Sequence, residues 1–172
     1  MQEGGTSFMS MFLGTHQNRF DAKGRVSIPA PFRAALRSQA QPGDPLVILR
    51  PSHLHPCIEG WTAGAFASLA TPLDEYDPFS EDHEDLAASL YADAYPLDSD
   101  KEGRIILPET LRTHAALTDE VSFMGLGRTF QIWHPAAAEE RRQAARGRAK
   151  TLATSRRPVS APAATNTAGA AE

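Results

Sequence analysis

The 172-residue chain has one cysteine, Cys57, so no disulfide can form within it, which fits a reducing compartment. It also lacks any apolar run approaching the ~18 residues of a spanning helix. Its first residues, M-Q-E-G-G-T-S-F-M-S, lack the basic start and apolar middle of a secretory signal. A cytoplasmic protein with no membrane partner is expected. Catalytic signatures are missing too: there is no G-x-S-x-G elbow or Walker-type loop, and Asp82, His83 and Asp85 have no nucleophile in register. No enzyme is expected. His53, His55 and Cys57 in S-H-L-H-P-C offer zinc donors, but no fourth ligand stands at a useful spacing. That stretch reads as a loop entering a strand, and neither a metal nor a cofactor is expected.

A basic excess is also lacking, since the formal net charge is −4. The total hides an uneven distribution. Residues 74–102 carry eleven acidic side chains against Lys101 alone, whereas residues 11–73 carry six basic and three acidic, and residues 137–172 seven basic and three acidic. The acidic middle reads as a solvated linker and helix surface, and it leaves two mildly basic stretches that can meet an anion.

What the chain does have is an internal repeat. At a shift of 79 residues, Asp21, Gly24, Arg25, Pro29 and Arg33 match Asp100, Gly103, Arg104, Pro108 and Arg112, with the apolar spacing between them kept. The period is too long for a solenoid, so two copies of a small domain are expected. In each copy an extended segment (15–20; 95–99) meets a D-x-x-G-R turn, and a second strand (25–28; 104–107) ends at a proline. A short helix follows, with Phe32, Ala35 and Leu36 or Leu111, His114 and Ala115 on one face. Strands at 46–49 and 57–61, and at 121–124 and 129–133, close the copies, and Trp61 and Trp133 at their ends read as core or interface packing. Helices are expected at 62–69, 86–91 and 136–152, with a linker over 71–85.

In D-A-K-G-R, residues 21–25, the aspartate accepts hydrogen bonds from the turn backbone and the glycine supplies the left-handed conformation of a short hairpin loop. Asp21 and Arg25 then face each other across the hairpin base. A single such motif is no more than a good turn with an ion pair worth ~0.2–1 kcal/mol. Duplication adds a second reading, because Asp, Gly and Arg are kept while Ala22 and Lys23 become Lys101 and Glu102. A turn does not need arginine in particular. Arginine donates two parallel bonds to guanine or phosphate, a carboxylate can fix its plane, and a two-stranded ribbon fits the major groove. Arg25 and Arg104 would then read bases, with Lys23 on phosphate.

The stretch M-F-L-G-T-H-Q-N-R-F-D-A-K-G-R-V-S-I-P-A-P-F-R, residues 11–33, resembles the start of an MraZ protein, and D-K-E-G-R-I-I-L-P with the later F-Q-I-W resembles that family's second half. The likeness covers about residues 11–142. It implies an α+β fold in which tandem AbrB-like swapped-hairpin units form an intramolecular pseudo-dimeric β-barrel with short flanking helices. The expected organisation is an N-terminal extension (1–10), unit 1 (15–62), a helix and acidic linker (63–90), unit 2 (91–136), a C-terminal helix (137–152) and a tail (153–172) whose near lack of large apolar residues reads as disorder. The family regulates transcription of the bacterial division and cell wall gene cluster. The resemblance therefore implies a nucleoid-associated, ring-shaped homo-oligomer on double-stranded DNA, at direct repeats upstream of its own operon.

Carried over residue by residue, the family's DNA-contacting motif falls on Asp21 and Arg25 and on Asp100 and Arg104. Glu102 departs from the pattern at the position of Lys23, which weakens the second turn for phosphate. Residues 1–10 precede the family's usual start, so Met11 is a second candidate initiator. The helix with Arg141, Arg142 and Arg146 is either a solvated terminal helix or an auxiliary DNA contact. A ring-forming assembly protein without base readout is the alternative function; it would tolerate loss of the hairpin arginines.

Overall fold

A computed structural model describes residues 7–155. The described residues divide into two compact units with the boundary between Glu139 and Glu140, and both repeats fall in the first. Repeat one supplies β1 (Thr15–Arg19), β2 (Arg25–Ser27), α1 (Ala30–Gln39), β3 (Val47–Pro51) and β4 (Ile58–Trp61). Helices α2 (Ala63–Ser68) and α3 (Glu81–Tyr91) then lead into β5 (Tyr95–Leu97), β6 (Arg104–Ile106), α4 (Glu109–His114), β7 (Glu120–Gly125) and β8 (Phe130–Trp133). The last element, α5, spans Pro135–Ser155.

Local chemistry sets several of these boundaries. Pro29 and Pro108 stand as N-caps of α1 and α4 with φ of −52° and −54°, ending a strand and opening a helix in one residue. Ser80 caps α3 by accepting from the His83 N–H at 3.1 Å, and Glu81, Asp82 and Glu84 occupy the first turn, where the helix dipole favours anions. The acidic charge expected in a linker therefore belongs partly to a helix that starts five residues before the expected Leu86. A 3₁₀ turn at Thr71–Glu75 takes up more of that segment. At the other end α5 runs three residues beyond 152, into the stretch expected to be disordered; residues 156–172 lie outside the described ones, as do residues 1–6.

The strands do not pair as local hairpins about the D-x-x-G-R turns. β1 pairs antiparallel with β7 of the other repeat, and β5 pairs with β3. β2 pairs with β6 in a separate two-stranded ribbon. The main sheet has the order β1-β7-β8-β4-β3-β5, and exchanging the repeats gives the same order read backwards. At the centre of the ribbon Val26 faces Ile105, its own repeat counterpart. The duplication is thus built as a twofold-related pair that has exchanged its first strands.

The sheet is open, which corrects the expected closed barrel. Among the described residues no ladder joins the edge strands β1 and β5. β5 is three residues long and carries Pro96, which has no N–H to offer a further strand.

One core serves both repeats. Val26 and Ile105, Ile28 and Leu107, Phe32 and Leu111, and Leu49 and Phe123 are all buried in a single cluster. Phe12, Phe32 and Phe130 meet there with ring centroids 5.1–5.3 Å apart. Phe130 lies over Gly60, its cross-strand partner, in space that any β-carbon at 60 would fill. A repeat of about 50 residues buries little surface alone, and strand exchange gives two such repeats a shared interior. Trp133 is buried in a satellite cluster with Cys57, and Trp61 and Trp133 each donate to the side chain two residues before, Glu59 and Gln131. Trp133 packs as expected, whereas Trp61 is half-buried and belongs to neither core cluster.

Candidate nucleic-acid interface

The two D-x-x-G-R turns form bond for bond in the same way. In the first, the Asp21 N–H donates to the Arg25 carbonyl at 2.8 Å, and the Gly24 N–H donates to the Asp21 carbonyl at 3.0 Å. Asp21 Oδ1 accepts from the Lys23 and Arg25 amides at 3.0 and 2.8 Å, while Oδ2 accepts from Arg25 Nε at 2.7 Å. In the second, Asp100 Oδ1 accepts from the Glu102 and Arg104 amides at 3.0 and 2.9 Å, and Oδ2 accepts from Arg104 Nε at 2.7 Å. Gly24 and Gly103 supply the positive φ, +76° and +80°. One carboxylate therefore closes the turn with one oxygen and orients the arginine with the other.

The electrostatics follow from this geometry. The Arg25 amide, then its guanidinium and the Lys23 amide, hold the Asp21 carboxyl below the usual carboxylate range, against the opposing effect of desolvation. The Arg104 amide, its guanidinium and the Glu102 amide do the same for Asp100. The hydrogen bond that Arg104 donates to Asp100, and the charges of Asp100, Glu102 and Asp21, raise the Arg104 guanidinium above its ordinary value against the opposing effect of desolvation. Both carboxylates are thus anionic at neutral pH and both arginines are held in a fixed plane.

The expected residues Asp21, Lys23, Arg25, Asp100 and Arg104 come together at the β2–β6 ribbon, which draws one strand from each repeat. The two turns touch: Arg104 Nη1 lies 3.9 Å from Asp21 Oδ2. Arg25 and Arg104 have side chains 27% and 28% exposed, so each is supported but accessible. Their remaining nitrogens differ. Arg104 Nη2 donates to Glu102 Oε2 at 3.1 Å, whereas the Nη groups of Arg25 have no partner among the described residues. Lys23 and Lys101 are exposed beside them.

A second duplicated pair, Arg33 and Arg112, braces the turns crosswise. Arg33, on α1, packs its side chain against Gly103 of the other repeat and donates from Nη1 to the Ile28 carbonyl at 2.6 Å. Arg112, on α4, lies over the Phe20 ring at 4.5 Å and within 3.6 Å of where a β-carbon on Gly24 would stand. Sequence reasoning matched these arginines in the repeat and gave them no task. Their identity at the 79-residue shift was the available signal. With them, the ribbon, its turns and the bracing arginines of α1 and α4 bring together Lys23, Arg25, Arg33, Lys101, Arg104 and Arg112 against Asp21, Asp100 and Glu102, a local cationic excess on an acidic chain.

Arg141, Arg142 and Arg146 lie on α5 in the second compact unit, with Arg142 and Arg146 one helical turn apart. His53 and His55 lie on the loop before β4 and Cys57 is buried at its end.

Fold and site together define a class: an α+β protein of two strand-exchanged repeats that presents paired carboxylate-held arginines on a shared ribbon. A family profile described as "MraZ protein, putative antitoxin-like" matches residues 11–88 and 90–148. A Gluconobacter oxydans protein named Transcriptional regulator MraZ is 93% identical over 164 residues, covering 95% of this chain and 100% of the relative. Proteins of the same name from Gluconacetobacter diazotrophicus and Azorhizobium caulinodans are 71% and 44% identical, over 84% and 74% of this chain and 92% and 79% of their own lengths. The chain belongs to the MraZ family.

Proposed function

We propose that the chain is a sequence-specific, DNA-binding transcriptional regulator, without catalytic activity, that acts on the division and cell wall gene cluster from direct repeats upstream of its own operon. The observation that carries this reading is the Arg25 guanidinium, held in plane through Nε by Asp21 with its Nη edge unpartnered among the described residues. That edge matches the two acceptors of a guanine in the major groove. Arg25 and Arg104 read bases, Asp21 and Asp100 orient them, and Lys23 holds phosphate. The exchanged strands support treating the repeats as an intramolecular pseudo-dimer of AbrB-like swapped hairpins.

One ribbon reaches only a short stretch of groove, and a chain of net charge −4 has little non-specific attraction to DNA. Recognition therefore needs several protomers on the cytoplasmic nucleoid. Direct repeats call for head-to-tail contacts, which close into rings when the rotation allows. Linked sites then raise affinity by a factor of roughly 10² to 10⁴ through effective concentration. Arg141, Arg142 and Arg146 add sequence-independent phosphate contacts. Truncation after Ala138 should lower the salt slope of binding by about 0.9 for each phosphate that these arginines neutralise.

The test is titration of the DNA upstream of the gene, carrying one, two or more repeats, with mass measured by light scattering. An oligomer that prefers the array over a single repeat and over shuffled sequence is expected. A chain that assembles but binds every duplex alike would instead be an assembly protein without base readout.

A further inference from the structure

The outer face of the ribbon carries two residues besides the arginines. Val26 and Ile105 point into the core, so their neighbours Arg25, Ser27, Arg104 and Ile106 point the other way. In the ladder Arg25 stands opposite Ile106, and Ser27 opposite Arg104. Directly opposed residues share a face with Cα atoms about 4.5–5.5 Å apart. The result is a two-by-two head in which the arginines occupy one diagonal, and Ser27 and Ile106 the other.

Ile106 is the anomaly. It is 65% exposed on a strand whose neighbour Ile105 is 2% exposed, and it stands opposite Arg25 and two residues from Arg104. Among the described residues no core cluster includes it, and its repeat counterpart is a serine. A solvated isoleucine on a short strand between cations has a use if its partner is itself apolar and embedded in polyanion. The thymine C5-methyl group is the apolar feature of the major groove.

We infer, resting on the proposed DNA reading, that Ile106 is a specificity-determining residue that packs on a thymine methyl within about two base pairs of the base read by Arg25. The distance follows from the cross-strand Cα spacing against a rise of about 3.4 Å per base pair. Ser27, at the twofold-related position, offers a hydrogen-bonding hydroxyl instead. The ribbon is therefore twofold in its arginines and asymmetric in its other diagonal. Such a head reads an element in one direction, which a direct repeat has and a palindrome does not.

The experiment compares the wild type with Ile106→Ser, which copies the other repeat, on the DNA upstream of the gene and on the same fragment made with uracil in place of thymine. The two fragments differ only in thymine methyls. Wild type should bind the uracil fragment at least about fourfold more weakly, the value of one buried methyl group. Ile106→Ser should bind the thymine fragment with a similar loss and discriminate less between the two. Equal discrimination by wild type and variant would overturn the inference, and so would an unchanged affinity of the variant for the thymine fragment. A change in assembled mass of Ile106→Ser would also overturn it, assigning the residue to a contact between copies. Arg25→Ala on the thymine fragment separates the levels. If that variant binds normally, the DNA reading itself fails; if it loses binding while Ile106→Ser still discriminates between the two fragments as the wild type does, only the role of Ile106 falls.

Discussion

The two turns share the bonds that close them and differ in what lies around the arginine. Arg25 is held by one carboxylate, and its Nη edge is unpartnered among the described residues; Arg104 is held by Asp100, donates to Glu102 at 3.1 Å and is faced by Asp21 at 3.9 Å. The brace differs as well. Arg33 is pressed onto Gly103, while Arg112 leaves Gly24 at ordinary contact distance and stacks on Phe20. Duplication preserved the device that orients an arginine and let the two copies diverge in how available that arginine is. The first turn is the open reader and the second is the buttressed one.

The largest effect should come from the glycines. Gly24→Ala meets only the left-handed backbone cost, roughly 1–2 kcal/mol. Gly103→Ala meets that cost and also drives Arg33 from its place and from the Ile28 carbonyl, a charge-assisted bond worth about 1.5–3 kcal/mol. Urea denaturation of both variants should rank Gly103→Ala well below Gly24→Ala. Equal midpoints would mean that Arg33 does not brace the second turn.

Base reading should show the opposite ranking. Arg25→Ala removes an available bidentate donor and should weaken operator binding by roughly 1–3 kcal/mol, with relaxed sequence preference. Arg104 must first release Glu102, a surface pair worth ~0.2–1 kcal/mol, so Arg104→Ala should cost up to about fivefold less in affinity. Fluorescence anisotropy on one DNA fragment measures both. A larger loss for Arg104→Ala would reverse the assignment of reader and buttress.

How much of this was legible in the sequence depends on the range of the interaction. The turns were legible because Asp, Gly and Arg at fixed offsets determine local hydrogen bonds, and the helices after Pro29 and Pro108 because their apolar spacing is periodic. Strand partners were not. Residues 15–20 and 25–28 read as a hairpin about their own turn, and nothing local says that Val26 faces Ile105 across the repeat. That choice is made by the shared core, a long-range term. The same blindness hid the brace, since Arg33 and Gly103 are distant in sequence. Ile106 was hidden because an isoleucine in a strand reads as core until its face is known.

Acid should separate the carboxylates more gently. Asp21 and Asp100 are both held below the ordinary range, so their contribution to stability is complete above the unfolded value near 3.8 and is lost as pH falls through the lower folded values. Stability from these turns should be flat between pH 7 and 5 and fall below about pH 4. Asp21 faces both Arg25 and Arg104, whereas Asp100 faces Arg104. Asp21→Asn should therefore remove more of the acid dependence than Asp100→Asn, read as the change in denaturation midpoint between pH 7 and 3. A larger change for Asp100→Asn would show that the 3.9 Å approach between turns carries no coupling.

The smallest effect is the sharpest on mechanism, because it moves only charge at exposed positions. Glu102 occupies the place of Lys23 in the repeat, and its side chain is 67% exposed, so Glu102→Lys should cost the fold almost nothing. It removes the partner of Arg104 Nη2 and places a cation where the first turn has one. Binding should tighten by ~0.2–1 kcal/mol at moderate salt, with the salt slope steeper by about 0.9 if the new lysine reaches a phosphate. Lys23→Glu should do the reverse by offering Arg25 a carboxylate to turn toward. With both changes in one chain, the cost of Arg25→Ala should shrink and that of Arg104→Ala should grow, so that reader and buttress exchange. If Arg25 stays dominant after the exchange, the difference lies in the crosswise braces on α1 and α4 and not in the residue beside the glycine.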